Sequence, residues 1–276
     1  MNLVHSSSDA VARQVRSAKR TSSLATLLLF VLSCAHPQPQ STVYDVVIRG
    51  GTIYNGLGGA PFIGDVGIIG DRIRVTGDFA MPNAKLEIDA RGMAVAPGFI
   101  NMLSWANESL IQDGRSQGDI RQGVTLEVMG EGSSMGPLTD TMRKEMIEQE
   151  ADIKYDIPWT TLGQYLDFLV KKGVSPNVAS FVGATTLRVH EIGYANRPPT
   201  PAEMGRMQAL AREAMEDGAM GIGSALIYAP AFYANTDELI ALSKAVAPYR
   251  GMYISHMRSE GARLLQAIDE LITISR

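Results

Sequence analysis

Two hydrophobic textures follow one another along this chain. Between residues 44 and 95, short alternating or β-branched runs (44–49, 52–54, 65–69, 72–76, 86–89 and 93–95) are separated by glycine-bearing turns. Alternation of that kind predicts strands, and so a small β unit. From Pro97 onward, apolar runs at 99–103, 124–130, 178–183, 220–228 and 252–256 alternate with longer helical patterns, clearest at 138–151, 161–172, 201–217, 237–246 and 262–275. Strands separated by helices predict βα units on a parallel sheet, an α/β fold. The expected boundary is Ala96-Pro97-Gly98. Two helix starts carry their own mechanism: Thr200-Pro201-Ala202-Glu203 reads as a capping box with proline at the first helical position, and Asn235 or Thr236 reads as the next cap.

Ahead of both textures, Arg13, Arg16, Lys19 and Arg20 precede an apolar run at 24–32. Nine residues suit the core of an export signal and fall well short of the roughly 20 that span a bilayer. The run ends in Val31-Leu32-Ser33-Cys34, which resembles a bacterial lipoprotein signal, with Cys34 as the residue lipidated after cleavage. On that reading, residues 1–41 are a signal and polar tether, His36 in the tether is inert, and the protein is exported to the bacterial periplasm or anchored to a membrane. The other reading of 24–32 is an upstream extension or a buried hydrophobic segment.

Composition narrows the chemistry. With 45% hydrophobic and 20% charged residues the chain is ordinary globular material. A net charge of −4 leaves no basic stripe for a nucleic-acid partner. Four histidines rule out a large histidine cluster. Cys34 is the only cysteine, so neither an intrachain disulfide nor a cysteine zinc site exists in the folded part. Ser133 and Ser134 lack the nucleophile-elbow pattern, and Gly50-Gly51 is a turn rather than a phosphate loop, since no helix follows it.

The segments Tyr44-Asp-Val-Val-Ile-Arg-Gly-Gly-Thr-Ile-Tyr-Asn-Gly56, Gly64-Asp-Val-Gly-Ile68 and Ala96-Pro-Gly-Phe-Ile100 resemble the opening of an amidohydrolase-superfamily enzyme. Arg197-Pro-Pro-Thr-Pro-Ala-Glu203, Gly218-Ala-Met-Gly-Ile222 and Ser255-His-Met-Arg-Ser-Glu-Gly261 narrow the likeness to the D-aminoacylase branch, the N-acyl-D-amino-acid deacylases, over about residues 44 to 276. The resemblance implies a metal-dependent (β/α)8 barrel of the TIM type, of which about five βα units (97–276) are present, preceded by part of a small β-sandwich domain (42–96). It implies hydrolysis of a small-molecule amide at a carbon–nitrogen bond outside peptides, with zinc polarising the carbonyl and a carboxylate moving the proton. It further implies metal ligands from a His-x-His pair after the first barrel strand, a cysteine after the second and histidines after the fifth and sixth, with a catalytic aspartate after the eighth.

This sequence departs from that pattern. Leu103-Ser104-Trp105 stands where the paired histidines belong, and neither leucine nor indole ligates zinc. Glu131-Gly132 stands where the branch has Asn-Cys. Glu131 is then either a replacement ligand, since carboxylate oxygens bind zinc, or a solvated loop acceptor. His256 carries a family ligand over unchanged, at the end of the fifth run, where a barrel places its chemistry. Arg258 and Trp105 are candidate substrate contacts, the first also readable as a surface pair and the second as packing under a loop. His190 reads as a surface or capping residue. The sixth-strand histidine and the general acid/base are expected beyond Arg276, so the chain reads as a fragment, weak in metal and inactive alone. The competing function is a non-catalytic binding protein that keeps the barrel.

Overall fold

Five parallel strand positions carry the second texture. The computed structural model describes residues 43–77 and 83–276. The expected signal run at 24–32, Cys34 and His36 lie outside the described residues.

The first texture forms β1 (Val43–Ile53), β2 (Phe62–Ile69), β3 (Arg72–Gly77), β4 (Asn83–Asp89) and β5 (Ala94–Val95). They make one sheet, in the order β3-β2-β1-β4 with β5 also on β1. The two expected runs at 44–49 and 52–54 are one strand, because Gly50 takes a φ of 65° and lets the chain continue through. Val47 and Val66 are buried, while the salt bridges from Arg49 to Asp65 and to Glu87 tie β1 to its neighbours.

The second texture begins with β6 (Phe99–Asn101), α1 (Ser109–Gln112) and α2 (Gln117–Ile120), then β7 (Val124–Met129), α3 (Asp140–Gln149) and α4 (Leu162–Lys172). It continues through β8 (Asn177–Ser180), β9 (Val182–Gly183), α5 (Ala184–Ile192), α6 (Pro201–Glu216), β10 (Gly221–Ala225), α7 (Thr236–Val246), β11 (Met252–His256) and α8 (Leu264–Ser275). All strand pairs here are parallel, in the orders β6-β7-β8 and β9-β10-β11. Phe181 N donates to Met129 O at 2.9 Å and Met220 N to Ser180 O at 2.9 Å, so β8 and β9 act as one strand position and the five positions run in sequence order. Consecutive parallel strands with helical crossovers are the barrel topology.

The helices start where side chains replace missing backbone partners. Thr161 with Gln164 and Thr200 with Glu203 form capping boxes, Pro201 opens α6, and Asn235 caps α7. Helix α5 is absent from the sequence expectation, which treats its residues as a loop. Gly183 precedes it without a capping side chain, and Thr185, Thr186 and Val189 are β-branched, so local preference conceals it. Tertiary packing makes it a helix: Leu187 is fully buried against Leu239, Met207 and Ile222 in one continuous core.

The described residues divide into two compact units: 43–49, 65–77 and 83–89 in one, Gly50–Gly64 and Ala90–Arg276 in the other. The expected boundary at Ala96-Pro97-Gly98 falls inside the second unit, because Thr52 and Ile53 pair with Ala94 and Val95.

Candidate active site

The strand-end carboxylate is placed by missing side chains. Gly130 ends β7 at a φ of 93°, and a Cβ there would collide with the Phe181 backbone. A Cβ on Gly223 would strike the Gly130 carbonyl. These contacts let the β7 loop lie directly on β9 and β10, which turns Glu131 toward the end of β11. Parallel pairing of Ala225 with His256 then brings the imidazole to the same rim. His256 Nδ1 lies 3.9 Å from Glu131 Oε2.

The pair is sheltered and little engaged. Their side chains are 23% and 12% exposed, enough to reach a ligand but not free in water. Tyr228 meets the imidazole edge-on, with ring centroids 5.4 Å apart. His256 Nε2 is buried without a hydrogen bond; Glu260 Oε1 comes within 3.3 Å, but out of line. Burial pushes the Glu131 carboxyl above its ordinary range; the charge of His256 pulls it back and that of Glu260 adds to the rise.

Glu131 also borders a cavity of about 380 Å³, within the usual range for small-molecule sites. Trp105, Met135, Met142, Met146 and Tyr228 form much of its wall. The wall is anchored from below, where buried Trp159 donates to Met135 O at 2.7 Å and the Tyr165 hydroxyl to Asn107 O at 2.9 Å. Helix α3 contributes Met142, Glu145, Met146 and Gln149, none of them anticipated from the sequence. Their spacing along one helical face is the signal that would have found them.

The other sequence candidates separate. Trp105 does line the cavity. Arg258 does not: it holds Glu270 through two hydrogen bonds of 2.9 Å and donates to the carbonyls of Phe232 and Ala234, which is the pairing the sequence also allowed. These bonds fasten the segment after β10 to α8, leaving the guanidinium little capacity for a substrate. His190 sits on α5 beside Glu191, 3.0 Å away, and is not at the rim. At the position of the absent histidine pair, Leu103 and Trp105 are exposed while Ser104 is buried and donates to Glu127 Oε2 at 2.7 Å.

As a metal centre the site is right in kind and short in number. A tetrahedral zinc with bonds of about 2.1 Å separates two donors by roughly 3.4 Å, close to the observed 3.9 Å. A catalytic zinc usually has three protein ligands, and among the described residues no group of three His, Cys, Asp or Glu side chains is arranged to hold an ion.

With this geometry in view, the likeness to known proteins is specific. No family model matches the chain. It is 32% identical over 243 residues to a D-aminoacylase of Alcaligenes xylosoxydans xylosoxydans, covering 87% of this chain and 49% of that protein. It is 34% identical over 237 residues to an N-acyl-D-aspartate deacylase of the same organism, covering 84% and 47%. A crystal structure of D-aminoacylase, described as defining a novel subset of amidohydrolases, superposes with a TM-score of 0.74 at 32% identity, covering 84% of this chain and 49% of that one. The N-acyl-D-glutamate deacylase of Bordetella bronchiseptica, solved with zinc and a phosphonate mimic of the tetrahedral intermediate, superposes at 0.73 with 28% identity, covering 85% and 49%. The fold is therefore that of the amidohydrolases. Within them, the chain belongs to the D-aminoacylase branch, and it spans about half the length of the curated relatives it matches.

Proposed function

We propose that the protein acts on N-acyl-D-amino acids or closely related small amides, cleaving a carbon–nitrogen bond outside peptides, with zinc as its metal. The observation that carries this reading is the convergence of Glu131 and His256 at 3.9 Å on the strand-end rim, beside a cavity of substrate size. Among the described residues, Glu131 and His256 are the two donors brought together at this rim. Glu131 and His256 would hold the ion, which when bound would polarise the substrate carbonyl and make hydroxide available near neutral pH. The chain's own residues shape the rest: Trp105 and the methionines of α3 give the cavity an apolar wall, and Tyr228 packs edge-on against the imidazole.

The purified chain, with two donors, is expected to hold zinc below one equivalent and to show no turnover of N-acetyl-D-amino acids, while binding them more tightly than their L enantiomers. Zinc content after dialysis should fall to background in both His256→Ala and Glu131→Ala. Retention unchanged in both variants would remove the site, and failure of the D enantiomers to bind would remove the substrate class.

A second reading, a binding protein without catalysis, is favoured by Leu103 and Trp105 at the paired-histidine position. Careful zinc loading that leaves the protein metal-free, with amide binding intact, would select it. Export with attachment through a lipidated Cys34 completes the proposal. It rests on the run at 24–32 and the cysteine that follows. Cys34→Ala should move the protein from the membrane fraction to the soluble one, and unchanged partitioning would discard the anchor.

A further inference from the structure

Overall identity does not say which side chain the substrate carries, because the chain is almost equally similar to a relative named as a D-aminoacylase and to one named for an aspartate derivative. The cavity discriminates where identity does not. Its apolar wall includes Trp105, Met135, Leu138, Met142, Met146 and Val189, and its charged lining consists of two carboxylates, Glu131 and Glu145. Among the described residues no lysine, arginine or histidine lines it.

Glu145 is fixed in this position. The hydroxyl of Tyr194, itself on the cavity wall, donates to Glu145 Oε2 at 2.8 Å, and Oε1 has no hydrogen bond among the described residues. The basic residues next to it in sequence are turned to other partners. Arg143 pairs with Asp140 at 2.8 Å and donates to Trp159 O and Thr160 Oγ1, and Lys144 faces Glu148 at 3.8 Å. The carboxylate therefore presents its negative charge to the cavity without a neighbouring cation to cancel it.

Resting on the deacylase reading above, we propose that this cavity receives the amino-acid side chain of the substrate, selects uncharged apolar side chains, and excludes those bearing a second carboxylate, with Glu145 as the excluding residue. An acidic side chain entering here would lose water without gaining a counter-ion and would meet a like charge. An aliphatic or thioether side chain meets methionine and indole surfaces that adapt to its shape. All N-acyl amino acids share the α-carboxylate, so a comparison among them isolates the side chain.

The test uses the full chain at low ionic strength, with calorimetric titration of N-acetyl-D-methionine, N-acetyl-D-leucine and N-acetyl-D-aspartate. The methionine and leucine derivatives should bind, and the aspartate derivative about tenfold more weakly or worse, the scale on which like-charge contact discriminates partners. Glu145→Lys should reverse the order. Glu145→Gln, which keeps an acceptor for Tyr194, should narrow the gap between the aspartate and methionine derivatives. Equal binding of the aspartate and methionine derivatives by the unaltered protein would overturn the inference, as would an order that neither substitution changes. Failure of all three to bind would instead overturn the deacylase reading beneath it.

Discussion

One strand and the loop that follows it carry two glutamates, four residues apart, with opposite fates. Glu127, inside β7, is fully buried, and its two oxygens accept hydrogen bonds of 2.7 Å from Ser104 and from Ser116. Those serines belong to the first βα loop, and Ser116 is held at a φ of 42°, a left-handed conformation unusual outside glycine. Glu127 is thus a fastener for the loop that carries Trp105. Glu131, two residues past the strand end, has no side-chain hydrogen bond among the described residues and faces His256 at 3.9 Å. Saturated polar groups hold a fold together, whereas an unsaturated one at a strand-end rim is available to a ligand.

The contrast extends to the cations. Arg188 is buried with Glu238, 2.6 Å away, and also donates to the carbonyl of Ala195. Breaking that pair gives the largest effect expected here: Glu238→Ala should destabilise by about 3–5 kcal/mol, the usual result of leaving one buried charge alone. Urea denaturation measures it, and a loss no greater than that of a surface substitution would mean the pair is not structural. Next in size, Glu127→Ala should cost about 2–3 kcal/mol, since two serine hydroxyls lose their acceptor in a buried place. The same denaturation measures it, and a cost near that of a surface substitution would mean that Glu127 fastens nothing.

Arg258 and Glu270 supply a pH-dependent version of the same distinction. Burial alone would raise the Glu270 carboxyl, but hydrogen bonds from Arg258 and Thr236 and the guanidinium charge outweigh it and hold it below its ordinary value of 4.5. A carboxyl depressed in the folded state stabilises fully above its unfolded value, and that stabilisation is lost as pH falls through the folded one. Arg258→Ala should therefore lower stability near neutrality and flatten its decline on acidification. A thermal-melt series from neutral to acid pH reads the effect, and an acid limb identical to that of the unaltered protein would contradict it. The smallest stability effect belongs to Glu131→Ala, under about 1 kcal/mol, as for residues outside a packed network. Should it cost as much as Glu127→Ala, the division between fastener and rim ligand would be wrong.

How much of this was legible follows from range. The βα alternation, the capping boxes at Thr200 and the cap at Asn235 depend on contacts within a few residues, so the chain announces them locally. The strand ends near residues 130 and 256 were readable for the same reason, and the resemblance to the deacylases then singled out Glu131 and His256 there, where parallel strands present their carboxyl ends on one rim. The engagement of Arg258 was not legible because its partners lie 12 residues ahead at Glu270 and 24 and 26 behind at Ala234 and Phe232. Glu127 attracted no notice, as nothing in a strand pattern says that two distant serines will close on it.

Local patterning by itself determined the α/β class and the five strand positions, because periodicity and capping are properties of neighbouring residues, while Glu131 and His256 became candidates through the resemblance to the deacylases. Tertiary structure alone decided the helical state of 184–192, the cavity wall built by α3, the engagement of Arg258 and the 3.9 Å separation of Glu131 from His256. Each of these depends on burial and on partners brought together by folding, and the energy of such contacts exceeds the small local preferences that a linear reading can see.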